Sequence, residues 1–280
     1  IIFLGAAGGG MSPLAATGII GLDLCQGFGL TGIELPLLVN GVLSSTVYAA
    51  LVYVAFGGYK LKSDVVLQFS DIPAFNKEQI VTLIGIASMV GLVMLFKVNV
   101  GLASFTVAMV LSFLRVSDEE QALKKIPWGT LLLICGVGVL MNVIIALGGI
   151  DLLSASLASV MSAKTATTIL GVTAGVMSWF SSTSGVVMPT LIPTIPHIIQ
   201  QMSISVNPVE WVTAISMVSN TAGISPLSTG GALALAAYSA EAGAAAGELD
   251  RLFIKMFSIS AAGVVTLSIL AYFGFYRWLL

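Results

Sequence analysis

Residues 10–18 read Gly-Met-Ser-Pro-Leu-Ala-Ala-Thr-Gly, and residues 223–231 read Gly-Ile-Ser-Pro-Leu-Ser-Thr-Gly-Gly. Five of the nine positions are identical, and in both copies Ser-Pro interrupts an apolar stretch. Because proline and glycine break helices, each copy is expected to divide one membrane helix into two shorter helices. An apolar segment of about 20 residues, the length of a membrane span, follows each copy. The sequence therefore predicts an internal repeat built around two broken helices.

The composition places this repeat in a membrane. Of the 280 residues, 57% are apolar and 9% are charged, and the net charge is −2. A soluble domain carries about 25% charged residues, so this chain cannot cover a soluble surface. Because the sequence has no basic cluster, nucleic-acid binding is excluded as well. We predict an all-α polytopic membrane protein that lies in the lipid bilayer of a bacterial inner (plasma) membrane.

Apolar length and polar breaks divide the chain into three parts. Residues 1–56 are predicted to hold the end of a first repeat, which comprises a broken helix and one span. Residues 57–79 form the longest polar connector, expected in the cytoplasm because lysine and arginine gather on that side. Residues 80–280 are predicted to form a second repeat. It begins with three spans, at 80–96, 98–114 and 129–147. A re-entrant hairpin at 165–201, a broken helix at 208–238 and a last span at 252–275 follow.

The predicted hairpin has two apolar arms of about 15 residues, 165–180 and 185–199. They flank a polar tip, Ser181-Ser182-Thr183-Ser184. A full span needs about 20 residues, and the second arm also carries three prolines. We therefore expect the arms to enter and leave on the same side, with the tip inside the membrane. Irregular backbone at that depth is stable where it lies within protein or lines a wet cavity.

The two broken helices are predicted to be inverted relative to each other. The first leads into a span that enters the cytoplasmic connector, whereas the second leads into a span that leaves the cytoplasm. Inverted repeats with paired broken helices are typical of secondary transporters, in which the breaks mark the substrate site. No hairpin precedes the first broken helix, so we expect the chain to begin inside a longer membrane protein.

The hairpin tip and the two breaks are the candidate binding site. Free helix N-termini, hydroxyls and amides can bind an anion there, and carbonyls freed by unwinding can bind Na⁺. The candidate residues for substrate and Na⁺ are Ser182, Thr183 and Ser184 at the tip, Ser219, Asn220, Thr221, Ser225, Ser228 and Thr229 at the second break, and Gly10, Ser12 and Thr17 at the first. The competing interpretation is that these residues cap helix ends or permit close helix packing.

Catalytic chemistry has little support in the sequence. One histidine and two distant cysteines cannot form a zinc site, and no serine lies beside an evident base. We therefore predict no enzymatic activity, no catalytic residue and no cofactor other than Na⁺ as a coupling ion. Asn207-Pro208-Val209-Glu210 has the pattern of a helix start, in which Asn207 is the N-cap and Glu210 completes a capping box.

The order of these elements resembles the ion transporter superfamily, in particular its divalent anion/sodium symporters and the dicarboxylate or malonate carriers. The resemblance covers most of the chain, mainly by architecture. The motifs depart from that family, because the tip reads Ser181-Ser182-Thr183-Ser184 instead of Ser-Asn-Thr. In the broken helix, Ile224-Ser225-Pro226-Leu227-Ser228 replaces Gly-Thr-Pro-Pro-Asn. A literal Ser219-Asn220-Thr221 lies in the broken helix.

The resemblance implies Na⁺-coupled symport of small organic anions, namely C3/C4 dicarboxylates, by a homodimer with an elevator-type mechanism. The spans within 80–147 would then provide the scaffold. Three alternatives stay open at this point: the large membrane subunit of a receptor-dependent carboxylate transporter, a membrane anchor that transports nothing, and a cation/proton antiporter. An antiporter usually needs a carboxylate in its core, and neither the tip nor the break at 220–231 contains one.

Overall fold

The computed structural model describes residues 2–60, 74–96, 98–116, 118–126, 128–242 and 246–277. These described residues form α-helices and connecting turns, with no strand among them. The helices are α1 Ile2–Gly9, α2 Ala16–Gln26, α3 Glu34–Ala55, α4 Lys77–Phe96, α5 Val100–Phe113, α6 Glu119–Lys125, α7 Trp128–Ala146, α8 Gly149–Val160, α9 Ala166–Trp179, α10 Met188–Leu191, α11 Thr194–Met202, α12 Pro208–Ala222, α13 Thr229–Ala242 and α14 Ala246–Tyr272. The prediction of an all-α polytopic membrane protein is confirmed.

Three helices in the described part of the chain are long and apolar enough to cross a membrane: Glu34–Ala55, Lys77–Phe96 and Glu248–Tyr272. The span predicted at 98–114 is shorter than expected. It forms the 14-residue helix α5, which is about 21 Å long at ~1.5 Å per residue. The Asn99 side chain caps the start of α5 by accepting from two backbone amides, and the left-handed backbone of Arg115 follows its end.

Backbone contacts divide the chain into two compact units. The first comprises Ile1–Tyr59 and Leu132–Leu280, and the second comprises Lys60–Leu131. In the first unit, α12 is buried on nearly every face and packs against α9, α14 and α3. In the second unit, α4 packs against α5. Much of the predicted connector at 57–79 lies outside the described residues, and the assignment of 80–280 as one complete repeat stays a prediction.

The two repeated stretches fold into the same turn. Between α1 and α2, the Leu14 amide donates to the Ser12 hydroxyl at 3.2 Å. Between α12 and α13, the Leu227 amide donates to the Ser225 hydroxyl at the same distance. The next amide along the chain donates to the carbonyl of that serine, at 3.0 Å in both copies. The two breaks are therefore structurally equivalent, as their sequence similarity predicts.

The two turns differ in how the amide of their last glycine is bonded. In the first, the Gly18 amide donates directly to the Gly10 carbonyl at 2.8 Å. In the second, the Ser228 hydroxyl stands between the equivalent groups. It accepts from the Gly231 amide at 3.3 Å and donates to the Gly223 carbonyl at 2.6 Å. A side-chain hydroxyl thus replaces a direct backbone bond in the second copy.

The spans that follow the two breaks, α3 and α14, run in opposite directions. The Asn40 amide of α3 donates to the Tyr276 carbonyl just beyond α14, at 3.4 Å. Further along α3, the Tyr48 hydroxyl donates to the carbonyl of Ile259, which lies earlier in the chain. Because later residues of one helix meet earlier residues of the other, the helices are antiparallel. An inverted repeat requires this antiparallel arrangement of α3 and α14, and the inversion of the two complete broken-helix units stays a prediction.

Candidate functional site

The hairpin tip is a short irregular segment between α9 and the second arm. After α9 ends at Trp179, a π-helical turn, Thr183–Val187, leads into α10 and α11. The Ser182 hydroxyl accepts from the Gly185 amide at 3.1 Å, and its carbonyl accepts from the next two amides. Ser182 therefore caps the second arm. The first arm is α9, and the second consists of the π-helical turn, α10 and α11. The hairpin at 165–201 and its re-entrant path through the membrane stay predictions.

Three oxygen atoms form a compact triangle where the tip meets α12. The Ser178 and Thr183 hydroxyls lie 2.7 and 2.9 Å from the Ser219 carbonyl oxygen and 2.9 Å from each other. Each hydroxyl carries a single proton. The three oxygen–oxygen contacts therefore share two protons, and at any moment one of the contacts has no hydrogen bond. Ser178 is buried, and it belongs to none of the sequence motifs described above. Its position in α9, one turn before the polar tip, was the signal available in the sequence.

A further hydrogen bond joins the tip to the second break. The Ser225 hydroxyl donates to the Trp179 carbonyl at the end of α9, at 3.0 Å. Together with the bonds from Ser178 and Thr183 to Ser219, this contact ties α9 and the tip to the end of α12. The structure thus brings Thr183 of the tip to Ser219 and brings Ser225 of the second break to the end of α9, and the binding role of these residues stays a prediction. Ser219 contributes its backbone carbonyl, since its own hydroxyl donates to carbonyls within α12.

Asn220 links the two breaks. Its Nδ2 donates to the Ala7 carbonyl of α1 at 3.0 Å, and a Cβ added to Gly10 would lie 3.6 Å from the same nitrogen. Because an amide nitrogen must face the Ala7 carbonyl, the Oδ1 oxygen points to another side of the side chain. That oxygen makes no hydrogen bond with any described residue and lies on a half-buried side chain. It is an available oxygen ligand beside the breaks.

The other predicted site residues either form hydrogen bonds within their own turn or have side chains without a hydrogen-bond partner in the described chain. The Ser12 hydroxyl accepts from the Leu14 amide within the first turn, and the Ser228 hydroxyl bridges the Gly231 amide and the Gly223 carbonyl in the second. The Thr221 hydroxyl is buried and has no partner within the described residues. The side chains of three further residues make no hydrogen bond within the described chain, namely Thr17, Ser184 and Thr229. Ser184 is half-buried at the tip, whereas Thr229 is exposed.

A buried carboxylate at the far end of α12 corrects one sequence interpretation. Asn207 caps α12, since its Oδ1 accepts from the Val209 amide at 3.0 Å. The capping box is wrong for Glu210, because its buried side chain contacts residues outside α12. The Thr167 hydroxyl donates to Oε1 at 2.7 Å, and Arg277 Nε donates to Oε2 at 2.7 Å. Burial raises the pKa of the Tyr276 phenol, which precedes Arg277 in the chain.

Replacing Arg277 by glutamine is expected to destabilise the protein by about 2–3 kcal/mol. Breaking a fully buried ion pair costs about 3–5 kcal/mol, and Arg277 is 57% exposed whereas Glu210 is 3% exposed. The variant leaves a buried carboxylate without its cation. The double variant E210Q/R277Q removes that charge and is expected to recover most of the loss. Reversible unfolding in mixed micelles measures both changes, and equal stability of R277Q and wild type would contradict the argument.

Comparison with known proteins identifies the family. Residues 14–216 match the family model described as citrate transporter. The chain belongs to the citrate transporter family. The matched region spans more than half of the chain, contains the hairpin tip, and ends four residues before Asn220. No curated protein and no solved structure matches the chain.

Membership of the citrate transporter family, which is part of the ion transporter superfamily, decides the class of activity. The chain is a secondary transporter of citrate or related divalent anions and not an enzyme. It is an integral membrane protein whose partners are a small anionic substrate and the lipid bilayer. The superfamily resemblance found from the architecture is confirmed.

Proposed function

We propose that this citrate transporter family member carries C3/C4 dicarboxylates together with Na⁺ across a bacterial inner membrane. The triangle formed by the Ser178 hydroxyl, the Thr183 hydroxyl and the Ser219 carbonyl oxygen carries this proposal. Na⁺ is a hard cation that prefers oxygen ligands, including carbonyls at the ends of broken helices. The lone pairs of both hydroxyls stay available after each has donated its single proton. The Ser219 carbonyl already accepts from both hydroxyls and from the Gly223 amide, so the lone pairs of the Ser178 and Thr183 hydroxyls are the ligands that the triangle offers to Na⁺.

The second arm of the hairpin supplies donors for the anion. The backbone amides of Thr183 and Ser184 donate to no acceptor within the described residues, and the Ser184 hydroxyl is equally unengaged. These groups lie at the start of a helical segment, where free N–H groups favour an anion. We assign the substrate carboxylate to this position, on the tip beside the proposed Na⁺ site. The proposed complex needs no buried arginine, whose cost within a membrane is high.

The charge balance favours coupling to a cation. Moving a dianion inward against ~100 mV costs about 4.6 kcal/mol, at about 2.3 kcal/mol for each charge. Three cations that move inward with it would return about 6.9 kcal/mol by the same relation. The membrane potential therefore opposes the uptake of a dicarboxylate that no cation accompanies. The number of Na⁺ ions that accompany each dianion can be measured from the voltage dependence of uptake.

The contact pattern supports an elevator-type movement. The hairpin, both breaks, α3 and α14 belong to one compact unit, and the bonds of Ser178, Thr183, Ser225 and Asn220 tie its helices together. Such a unit can move as one body with its bound ligands. We propose that α4 and α5, in the second unit, contribute to a scaffold that forms a homodimer. The scaffold expected within 80–147 then excludes α7 from Leu132 onward, which clusters with the hairpin unit.

Uptake into proteoliposomes tests the proposal. Labelled citrate, succinate, malate and malonate are added to vesicles that hold the full-length protein, with an inward Na⁺ gradient and a choline gradient as control. We expect uptake of succinate, malate or malonate that depends on Na⁺. Uptake of citrate alone would overturn the dicarboxylate assignment, and equal uptake in choline would overturn Na⁺ coupling. No uptake of any anion by folded protein would favour a receptor-dependent transporter subunit.

A further inference from the structure

The structure assigns a second anion-binding site to the end of α14, far along the chain from the hairpin tip. A depression of about 540 Å³ lies there, and its lining includes Lys164, Tyr272, Phe273 and Arg277. Two of these four side chains are cations, in a chain that holds only 11 lysines and arginines. We propose that this depression binds the phosphate headgroup of an anionic phospholipid.

The position of the depression relative to the membrane favours a lipid. Tyr272 is the last residue of the apolar span Glu248–Tyr272, so the depression lies at the depth where a span meets the headgroup region. Tyrosine is enriched at that depth because its ring is apolar and its hydroxyl is polar. Phe273, which is 78% exposed, adds an apolar rim. A lipid presents a phosphate and an adjoining apolar surface to such a rim.

The guanidinium of Arg277 is positioned to bind an anion. Gly274 has a φ of +75°, a conformation that glycine adopts readily, and it turns the chain after α14. The following turn, Phe275–Arg277, brings the Arg277 Nε to within 2.7 Å of the buried Glu210 carboxylate. That bond fixes the guanidinium and leaves its two terminal NH₂ groups without a partner in the described chain. The fork formed by these groups matches a phosphate bidentately.

Lys164 supplies the second charge. Its Nζ lies 5.1 Å from the centroid of the Tyr272 ring, a distance typical of a cation–π contact. Within the described residues, Lys164 forms no ion pair, and the only carboxylate against Arg277 is that of Glu210. Because Glu210 balances one of the two cations, one net positive charge remains. The site therefore favours an anionic headgroup over a zwitterionic one.

Native mass spectrometry of the full-length protein tests this proposal. The protein is equilibrated in mixed micelles with equal amounts of palmitoyl-oleoyl phosphatidylglycerol and phosphatidylcholine, and retained lipids are counted. We expect wild type to retain more phosphatidylglycerol, and Lys164→Gln to reduce that retention about fivefold, the effect of one basic residue at an anionic membrane surface. Arg277→Lys keeps the charge and loses the fork, so we expect a smaller reduction.

The matched control is Lys124→Gln, which removes the same charge from an exposed side chain on α6. It should leave phosphatidylglycerol retention unchanged. Lys164 makes no hydrogen bond to any residue that the structure describes, so its replacement should not impair folding, and thermal melting checks this. Equal retention by the Lys164→Gln and Lys124→Gln variants would overturn the proposal. The same variants are also measured with added citrate or glycerol phosphate. If Lys164→Gln loses the adducts of these anions and keeps the wild-type lipid retention, the site binds a soluble anion and not a lipid.

Discussion

Replacing Ser178 by alanine and Thr183 by valine is expected to abolish Na⁺-dependent uptake. The double variant removes both hydroxyls of the oxygen triangle and leaves only the Ser219 carbonyl. A polar contact to a charged group contributes about 1.5–3 kcal/mol, which corresponds to about a 10- to 150-fold loss of Na⁺ affinity for each hydroxyl that binds the ion. The measurement is initial uptake rate against Na⁺ concentration in proteoliposomes, for each single variant and for the double variant.

Thr213→Val provides the matched control for this experiment. Thr213 is buried on α12, and its hydroxyl donates to the Val209 carbonyl within the same helix, at 2.7 Å. The control therefore removes a buried hydroxyl that is remote from the triangle, and it should keep the wild-type Na⁺ dependence. If the double variant folds and shows the wild-type half-saturating Na⁺ concentration, the triangle is not the Na⁺ site.

Alanine at Gly18 or Gly231 is expected to prevent folding of the corresponding break. A Cβ at Gly231 would overlap the Ser225 carbonyl, and one at Gly18 would overlap the Ser12 carbonyl, both closer than the 3.0 Å below which something must shift. Overpacking usually costs about 1–3 kcal/mol, and here the obstructing atom is backbone that also closes the turn. We expect a loss above about 3 kcal/mol, with little folded protein recovered on size-exclusion chromatography.

Gly5→Ala and Gly9→Ala are the controls, because a Cβ at either position meets nothing within 4 Å. Both lie in α1, where alanine has the higher helix propensity, so these variants should accumulate as well as wild type. Recovery of Gly231→Ala at the wild-type level, with wild-type uptake, would show that the turn around Pro226 is not required for the fold.

The equivalence of the two breaks could be predicted from sequence because backbone chemistry decides it. The Gly-x-Ser-Pro-Leu pattern removes an amide at proline and supplies a serine hydroxyl that closes the turn, so the same residues produce the same hydrogen bonds. The hairpin arms followed from their apolar length and from the polar tip for the same reason. These features depend on neighbours within a few residues of each other.

Contacts between segments that are far apart in the chain could not be predicted from the sequence pattern. Glu210 stands three residues after an N-cap, which is the pattern of a capping box, yet Thr167 and Arg277 come from other parts of the chain and take its carboxylate. Ser178 looks like one more small residue in an apolar helix, and only the packing of α9 on α12 gives its hydroxyl a role. The likeness of 10–18 to 223–231 also gave no sign of the Asn220–Ala7 bond.

The hydroxyl of Ser228 makes the two equivalent turns mechanically unequal. In the first turn a direct amide–carbonyl bond joins Gly18 to Gly10, so separating these two residues requires the backbone itself to deform. The second turn closes through a side chain that can rotate about one torsion, and its link to the Gly231 amide is longer, at 3.3 Å. The second break is thus easier to deform than the first, although the two turns are otherwise nearly identical. If the proposed ligands bind at this break, we expect the Ser228 side chain to take up the strain of their binding or release, and the backbone of the first turn to stay unchanged.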